Sequence, residues 1–149
     1  MNWDLKSWTE QEVVLGNTTF YINKLLAEEQ FWLFEDLRPG LATLISSLEG
    51  FEQNDNVLTM IGQLVGNLPR TTIKTAMNEL MPHVKYKHPG MQNALPVGRD
   101  RGSAFRDLKV HEIYELLFRA FLVNFHGSLD AVLGILAERA KEISNEQEG

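Results

Sequence analysis

Apolar positions recur at helical spacing over most of the chain, and the longest such stretch covers residues 107–125. On a helical wheel its apolar residues cover more than half of the circumference, and Leu122 interrupts the polar strip that remains. A helix that is apolar nearly all round is buried on most sides. We therefore predict the central helix of a core, and its spare apolar width leaves open that it also contacts a partner. The stripe comprises Val110, Ile113, Tyr114, Leu117, Phe121 and Phe125, widened by Leu116, Phe118, Ala120 and Val123.

The rest of the pattern predicts a mainly α fold: a compact bundle of about five to six helices with a small N-terminal β-hairpin, forming a single domain over residues 1–149. Two β-branched and aromatic runs around Gly16-Asn17 predict the hairpin at 12–22. Periodic apolar positions predict the helices, with a break or kink at 38–40 where Pro39 and Gly40 occur. The predicted helices are 27–49, 55–68, 71–83, 107–125 and 128–143.

Within the first of these helices the predicted buried stripe runs from Phe31 through Phe34 and Leu37 to Leu48. Trp32 and Leu33 lie off that stripe. Two interpretations remain open for them: the hairpin covers them, or they are surface anchors.

Residues 85–106 have no sustained period, and two prolines and three glycines occur between Tyr86 and Ser103. A long loop in a compact domain is usually functional or disordered. It is also basic, because Asp100 is its single anion while the whole chain has a formal net charge of −6. Such a loop can dock on an acidic partner or fold back on its own acidic body. Its cations are Lys85, Lys87, Arg99, Arg101 and Arg106.

Composition excludes several classes of function. The chain has 149 residues, 44% hydrophobic and 23% charged, as in one globular domain. It has no cysteine, which excludes disulfides and thiolate metal sites. No apolar run is long enough to span a bilayer, and the N-terminus does not resemble a signal peptide, so a cytosolic protein is expected. The negative charge argues against general nucleic-acid affinity.

Catalytic patterns are missing from the sequence. The four histidines include no pair at i, i+4, and there is no Gly-x-Ser-x-Gly. Gly98–Gly102 lacks the Lys-Ser/Thr ending of a phosphate loop. We therefore expect no metal, no cofactor and no enzyme.

A more specific pattern favours a different function. Residues 56–80 have the look of a helix-turn-helix, whose second helix would offer Thr71, Lys74 and Asn78 to DNA.

Several segments resemble the tail assembly chaperones of long-tailed bacteriophages. They are TTFYINKL at 18–25, Phe31, Leu33 and EDLRP at 35–39, LPRTTIK at 68–74, MPHV at 81–84, and ELLFRAFLVNF at 115–125. The resemblance implies a non-enzymatic protein of the host bacterial cytoplasm, absent from the finished virion. It implies binding to the apolar, helix-rich tape measure protein, with the tail tube protein as a further possible partner.

Residues and resemblance together predict a helical client held by one edge of the 107–125 helix, at Phe118, Phe121, Leu122 and Phe125. The basic residues Lys85, Lys87, Arg99 and Arg101 are predicted to act as a gate or second contact. Self-association into a homo-oligomer is expected, because it would bury apolar surface until the client arrives. Two alternatives stay open: a helix-turn-helix DNA-binding regulator, and a small phage-encoded inhibitor acting by protein–protein contact.

Overall fold

The structure of the chain, a computed structural model, describes residues 9–48, 68–99 and 101–125, with the backbone alone at 41–48 and 99. The predicted helices 55–68 and 128–143 lie outside these ranges except at Leu68, and like the single domain they stay predictions. The described elements are β1 (Glu12–Leu15), β2 (Thr18–Ile22), α1 (Ala27–Leu48), α2 (Arg70–Leu80), a 3-10 turn (Met81–His83), β3 (Val84–Lys87), β4 (Leu95–Pro96), a second 3-10 turn (Val97–Arg99), α3 (Arg101–Ala104) and α4 (residues 110–125).

The N-terminal hairpin forms as predicted. Leu15 lies opposite Thr18 in the antiparallel pair of β1 and β2, so Gly16 and Asn17 make a two-residue turn. Gly16 has a φ of 60°, which glycine adopts without steric cost, and glycine at the first turn position is typical of type II′. An isolated hairpin is marginal in water, and here β2 also pairs with β3.

The prediction of a mainly α bundle of five to six helices is wrong, because the described chain contains a four-stranded antiparallel sheet in the order β1-β2-β3-β4. Nearly all of β3 and the whole of β4 come from residues 85–106, the segment predicted to be an irregular loop. Strands of four and two residues are too short to show a period. These residues form strands because they pair with residues far away in the sequence. Tyr86, for example, lies opposite Phe20 of β2. The fold is therefore α+β.

One face of the sheet is buried and the other is accessible to solvent. The buried face carries Leu15, Thr18, Phe20, Ile22, Val84 and Tyr86. The opposite face carries two cross-strand rows, Glu12–Tyr21–Lys85 and Val14–Thr19–Lys87, all exposed or half-buried. The alternation of a half-buried antiparallel sheet accounts for this division.

Residues 38–40 do not break α1, which is helical from Ala27 to Leu48 with Pro39 inside it. Proline removes one backbone donor from a helix and disfavours the turn before it. At the residue after this proline, α1 packs closely against α2. Gly40 is buried, and a Cβ built on it would lie 2.9 Å from the Cβ of Thr72. Tertiary packing of α1 on α2 therefore supports the helix through the Pro-Gly pair.

The main core cluster lies between the sheet and the helices, and among the described side chains α4 contributes more to it than any other helix. The prediction that this helix is central to the core is confirmed. From α4 the cluster takes Leu116, Leu117, Ala120, Val123 and Phe125; from the sheet and α1 it takes Leu15, Phe20, Ile22, Val84, Tyr86, Leu33 and Leu37.

The polar strip of α4 is exposed at His111 but enclosed further along the helix. The Arg119 guanidinium contacts the Glu115 carboxylate at 3.1 Å, and the two side chains are only 14% and 13% exposed. Leu122, further along the same side, is fully buried beside Ile73, Tyr114, Phe118 and Phe121. The wide apolar arc read from the sequence thus corresponds to a helix covered on most sides.

Candidate functional site: an apolar patch at the start of α1

Large apolar side chains are exposed at the beginning of α1. Leu26 is 74% exposed, Phe31 56% and Trp32 58%. We call these three residues the α1 patch. Exposed aromatic and aliphatic side chains are typical of protein-binding surfaces, in which Trp and Phe are enriched. Elsewhere in the described ranges the exposed large apolar residues are Val14, Leu95 and Val110.

Helix geometry explains why the patch faces solvent. Leu33 and Leu37 are buried and fix which side of α1 meets the core. At about 100° per residue, Trp32 lies roughly 140° and Phe31 roughly 120° from Leu37. Side chains on a helix also tilt toward its N-terminus, so both rings lean toward the end of α1 where Leu26 lies.

The two aromatic rings support each other. Their centroids are 5.2 Å apart with an interplanar angle of 78°, an edge-to-face arrangement. Aromatic pairs prefer this geometry because the positive ring edge meets the negative ring face. The two rings therefore form a preorganised aromatic pair on the surface.

The first turn of α1 is closed by its own residues. The Leu26 carbonyl accepts the first intrahelical bond, from the Gln30 amide at 2.9 Å, so Leu26 is the N-cap. The Leu26 amide donates to Glu29 Oε1 at 3.2 Å, which is one half of a capping box. Glu29 Oε2 also lies 3.5 Å from His83 Nε2, which links the helix start to the turn before β3.

A second set of bonds fastens this helix start to α4. Asn124 Oδ1 accepts the Leu25 amide at 2.8 Å and Gln30 Nε2 at 3.2 Å. Asn124 Nδ2 donates to the Ala120 carbonyl at 2.9 Å. The polar groups that join the start of α1 to α4 are therefore paired. A start of α1 that is already fixed would lose little conformational freedom on binding a partner.

The structure brings together the residues predicted as client contacts on α4, in a row of rings. Phe118 and Phe121 have centroids 6.5 Å apart, Phe121 and Phe125 4.8 Å, and Phe125 then meets Phe34 of α1 at 6.1 Å. Phe118 and Phe121 are half-buried, whereas Leu122 and Phe125 are buried. In this conformation Leu122 and Phe125 are core residues, and their role as client contacts stays a prediction.

The predicted basic residues are distributed over two places. Lys85 and Lys87 share the solvent side of β3, next to Tyr21 and Thr19 of β2. Arg101 folds back instead, since its Nη2 donates to Asn78 Oδ1 of α2 at 2.6 Å. The side chain of Arg99 lies outside the described residues. Among the described side chains, no carboxylate forms an ion pair with Lys85, Lys87 or Arg101.

The helix-turn-helix alternative gains no geometric support from the described residues. Asn78, one of the proposed base contacts, is engaged by Arg101. Thr72 packs against the buried Gly40 of α1. The first helix of the proposed motif lies outside the described ranges. Lys85 and Lys87, which follow this motif in the chain, belong to β3, an inner strand of the four-stranded sheet.

Sequence reasoning missed part of the α1 patch. It placed Phe31 in the buried stripe and left Leu33 outside, and the structure has the reverse: Leu33 is 2% exposed. Trp32 fits the second interpretation, a surface anchor. Measuring the wheel from Leu37 would have signalled this, because Leu33 lies only roughly 40° from Leu37.

Other site chemistries have no structural support in the described ranges. No group of three or more histidine or carboxylate side chains there is arranged to hold a metal ion. None of the helices found there combines the length and hydropathy needed to cross a bilayer. What the geometry offers is an exposed surface of apolar and aromatic side chains.

Comparison with known proteins points in one direction. The family model described as phage tail assembly chaperone protein, TAC, matches residues 16–137, a range that contains the α1 patch, the sheet strands β2 to β4 and α4. Neither the curated proteins nor the solved structures gave a significant match.

Proposed function

The chain belongs to the phage tail assembly chaperone family, and from this premise we propose that it binds the tape measure protein during tail assembly, without catalysing a reaction. Members of such a family act on protein partners in tail assembly. The tape measure protein suits this role because, as the resemblance implies, it is long, apolar and helix-rich. Such a client needs apolar surface to be covered before the tube forms around it.

The observation that carries the proposal is the α1 patch. Phe31 and Trp32 expose more than half of their surface on a helix whose buried side is already satisfied by Leu33 and Leu37. Exposing apolar rings costs solubility and offers nothing to the fold. An amphipathic client helix would remove them from water, in the way that grooves and faces recruit helices.

We extend the proposal to the basic side of the sheet and to self-association. Lys85 and Lys87 supply a second, charged contact, for which the tail tube protein is a candidate. Copies of the chain would pair through apolar surface until a client arrives. The site of action is the host bacterial cytoplasm, and the chaperone leaves before the virion is complete.

Co-expression with the tape measure protein tests the proposal. We expect the wild-type chain to keep the client in the soluble fraction and to co-purify with it. The Phe31→Ser/Trp32→Ser variant should fold, since both side chains are exposed, but should lose the client. Val110→Ser, which alters a 68% exposed apolar residue on α4, is the matched control and should retain it.

One result would overturn the proposed binding, and another would overturn its assignment to the α1 patch. The first is a client that stays insoluble with the wild-type chain and forms no complex. The second is a Phe31→Ser/Trp32→Ser variant that holds the client as well as Val110→Ser does, which would move the binding surface away from the α1 patch. Circular dichroism of each purified variant establishes that it is folded.

A further inference from the structure

Charge around the α1 patch specifies its partner more closely. We propose that the patch binds a positively charged amphipathic helix, one whose apolar face is flanked by Lys or Arg. This inference rests on the proposed function, and it names the chemical class of the client segment.

The observation is the set of helical neighbours of Trp32. On a helix, residues three and four positions away are surface neighbours, with Cβ atoms about 5–6 Å apart. For Trp32 all four of these positions are acidic. They are Glu28, Glu29, Glu35 and Asp36. Three of them are exposed and Glu35 is half-buried.

Local structure accounts for only part of this acidity. Glu28 and Glu29 lie in the first turn of α1, where carboxylates interact favourably with the helix dipole. Glu29 also bonds the Leu26 amide. Glu35 lies 3.7 Å from Arg38 Nη2.

Asp36 has no such explanation. It lies well past the first turn, where the dipole no longer favours an acid, and aspartate is a poor helix former. Among the described residues no cation forms an ion pair with Asp36 or with Glu28. Two carboxylates at helical-neighbour positions of Trp32 therefore have no ion-pair partner within the described part of the chain.

The exposed rings and the acidic side chains together favour one class of partner. An anionic membrane surface or a nucleic acid would be repelled by these carboxylates and by a chain of formal net charge −6. A purely apolar helix would leave them without a counter-charge. A cationic amphipathic helix satisfies both features, because its apolar side chains cover Phe31 and Trp32 while its Lys or Arg meets the acids. A cation can also stack on the Trp32 face.

Two synthetic peptides test the charge requirement on the full chain. They have the same length and the same apolar helical face, with lysines flanking that face in one and glutamates in the other. Titration calorimetry should show the lysine peptide binding at least about tenfold tighter, and the preference should shrink as salt screens it.

Neutralising variants locate the effect. Glu28→Gln/Asp36→Asn should weaken the lysine peptide by about threefold to tenfold, since exposed ion pairs each contribute modestly. Glu12→Gln/Glu79→Gln removes two exposed carboxylates from β1 and α2 and has the same net charge. That control should change affinity less than twofold, which separates a local contact from the overall field.

Equal binding of the two peptides would overturn the inference, and so would an equal loss in both neutralised variants. The experiments distinguish failure of the charge inference from failure of the proposed function. If Phe31→Ser/Trp32→Ser loses the tape measure protein while Glu28→Gln/Asp36→Asn retains it fully, the function stands and the charge requirement falls. If the patch variant retains the client, the α1 patch is not the binding surface; the function itself falls only if the wild-type chain binds no tape measure protein.

Discussion

The hydroxyl of Thr18 and Nδ1 of His88 form a hydrogen bond 2.8 Å long, joining residues 70 positions apart in the chain. His88 Nε2 lies 2.7 Å from the Ser103 carbonyl oxygen, which can only accept, so Nε2 carries a proton; in the neutral ring Nδ1 then accepts from the Thr18 hydroxyl. Both side chains are buried. One imidazole therefore ties β2 to the segment after β3 and to α3, and this fixes the part of the chain that the sequence pattern left irregular.

Removing the donor should cost stability. Thr18→Val keeps the shape of the side chain but leaves His88 Nδ1 buried without its partner, and such an orphaned group costs about 1–3 kcal/mol. Urea unfolding followed by circular dichroism measures the loss. Thr19→Val, on the solvent side of the same strand, is the control and should change stability by less than about 0.5 kcal/mol. Equal effects at the two positions would contradict the finding.

A methyl group at Gly40 should also destabilise the fold, although Gly→Ala inside an open helix is favourable by about 1 kcal/mol. The reason is steric, since the new Cβ would lie 2.9 Å from Thr72 Cβ. Overpacking of this kind costs about 1–3 kcal/mol. Thermal unfolding of Gly40→Ala should therefore show a lower midpoint than wild type.

A double-mutant cycle identifies the cause. Thr72→Ala removes the two side-chain atoms nearest to the added Cβ, so Gly40→Ala should cost less in that background. Additive effects of the two substitutions would show that α1 and α2 are not in close contact at this point.

These contacts indicate how far sequence reasoning reaches. The hairpin, α1 and α4 could be predicted because each has local signals: a Gly-Asn turn or a long apolar period. β3 and β4 could not, because they are short: β3 depends on pairing with β2, β4 depends on pairing with β3, and the Thr18–His88 bond joins residues far apart in the sequence. Residues in them carry no period that distinguishes a strand from a loop.

The same limit applies to the candidate site. Four consecutive apolar residues, 31–34, give no local information on which of them are buried. The answer comes from tertiary packing, which buries Leu33 and leaves Phe31 and Trp32 exposed. Likewise, the width of the apolar arc on α4 predicted a buried helix correctly, but it could not tell a partner surface from a fully covered core.

Asn124 should be required for the stability of the α1 start. Asn124→Ala removes its bonds to Leu25, Gln30 and Ala120 and leaves the Leu25 amide without its acceptor. We expect a loss of about 1–3 kcal/mol. Hydrogen exchange of the Leu25 amide should become faster than global unfolding explains.

Asn93→Ala provides the comparison for that variant. Asn93 is exposed in the loop between β3 and β4, so its replacement should change stability by less than about 0.5 kcal/mol. If Leu25 exchange is unaffected in Asn124→Ala, the side chain does not fasten α1 to α4 and the base of the patch is held in another way.

Leu122 and Leu26 offer a direct test of core against client contact, because the same Leu→Ala change can be made at both. Leu122 is fully buried, so Leu122→Ala should lose about 2–5 kcal/mol of unfolding free energy through cavity formation. Leu26 is 74% exposed, and Leu26→Ala should leave stability within about 0.5 kcal/mol of wild type while weakening retention of the tape measure protein. An unchanged stability in Leu122→Ala, together with a lost client, would return the binding surface to α4, where the apolar arc first suggested it.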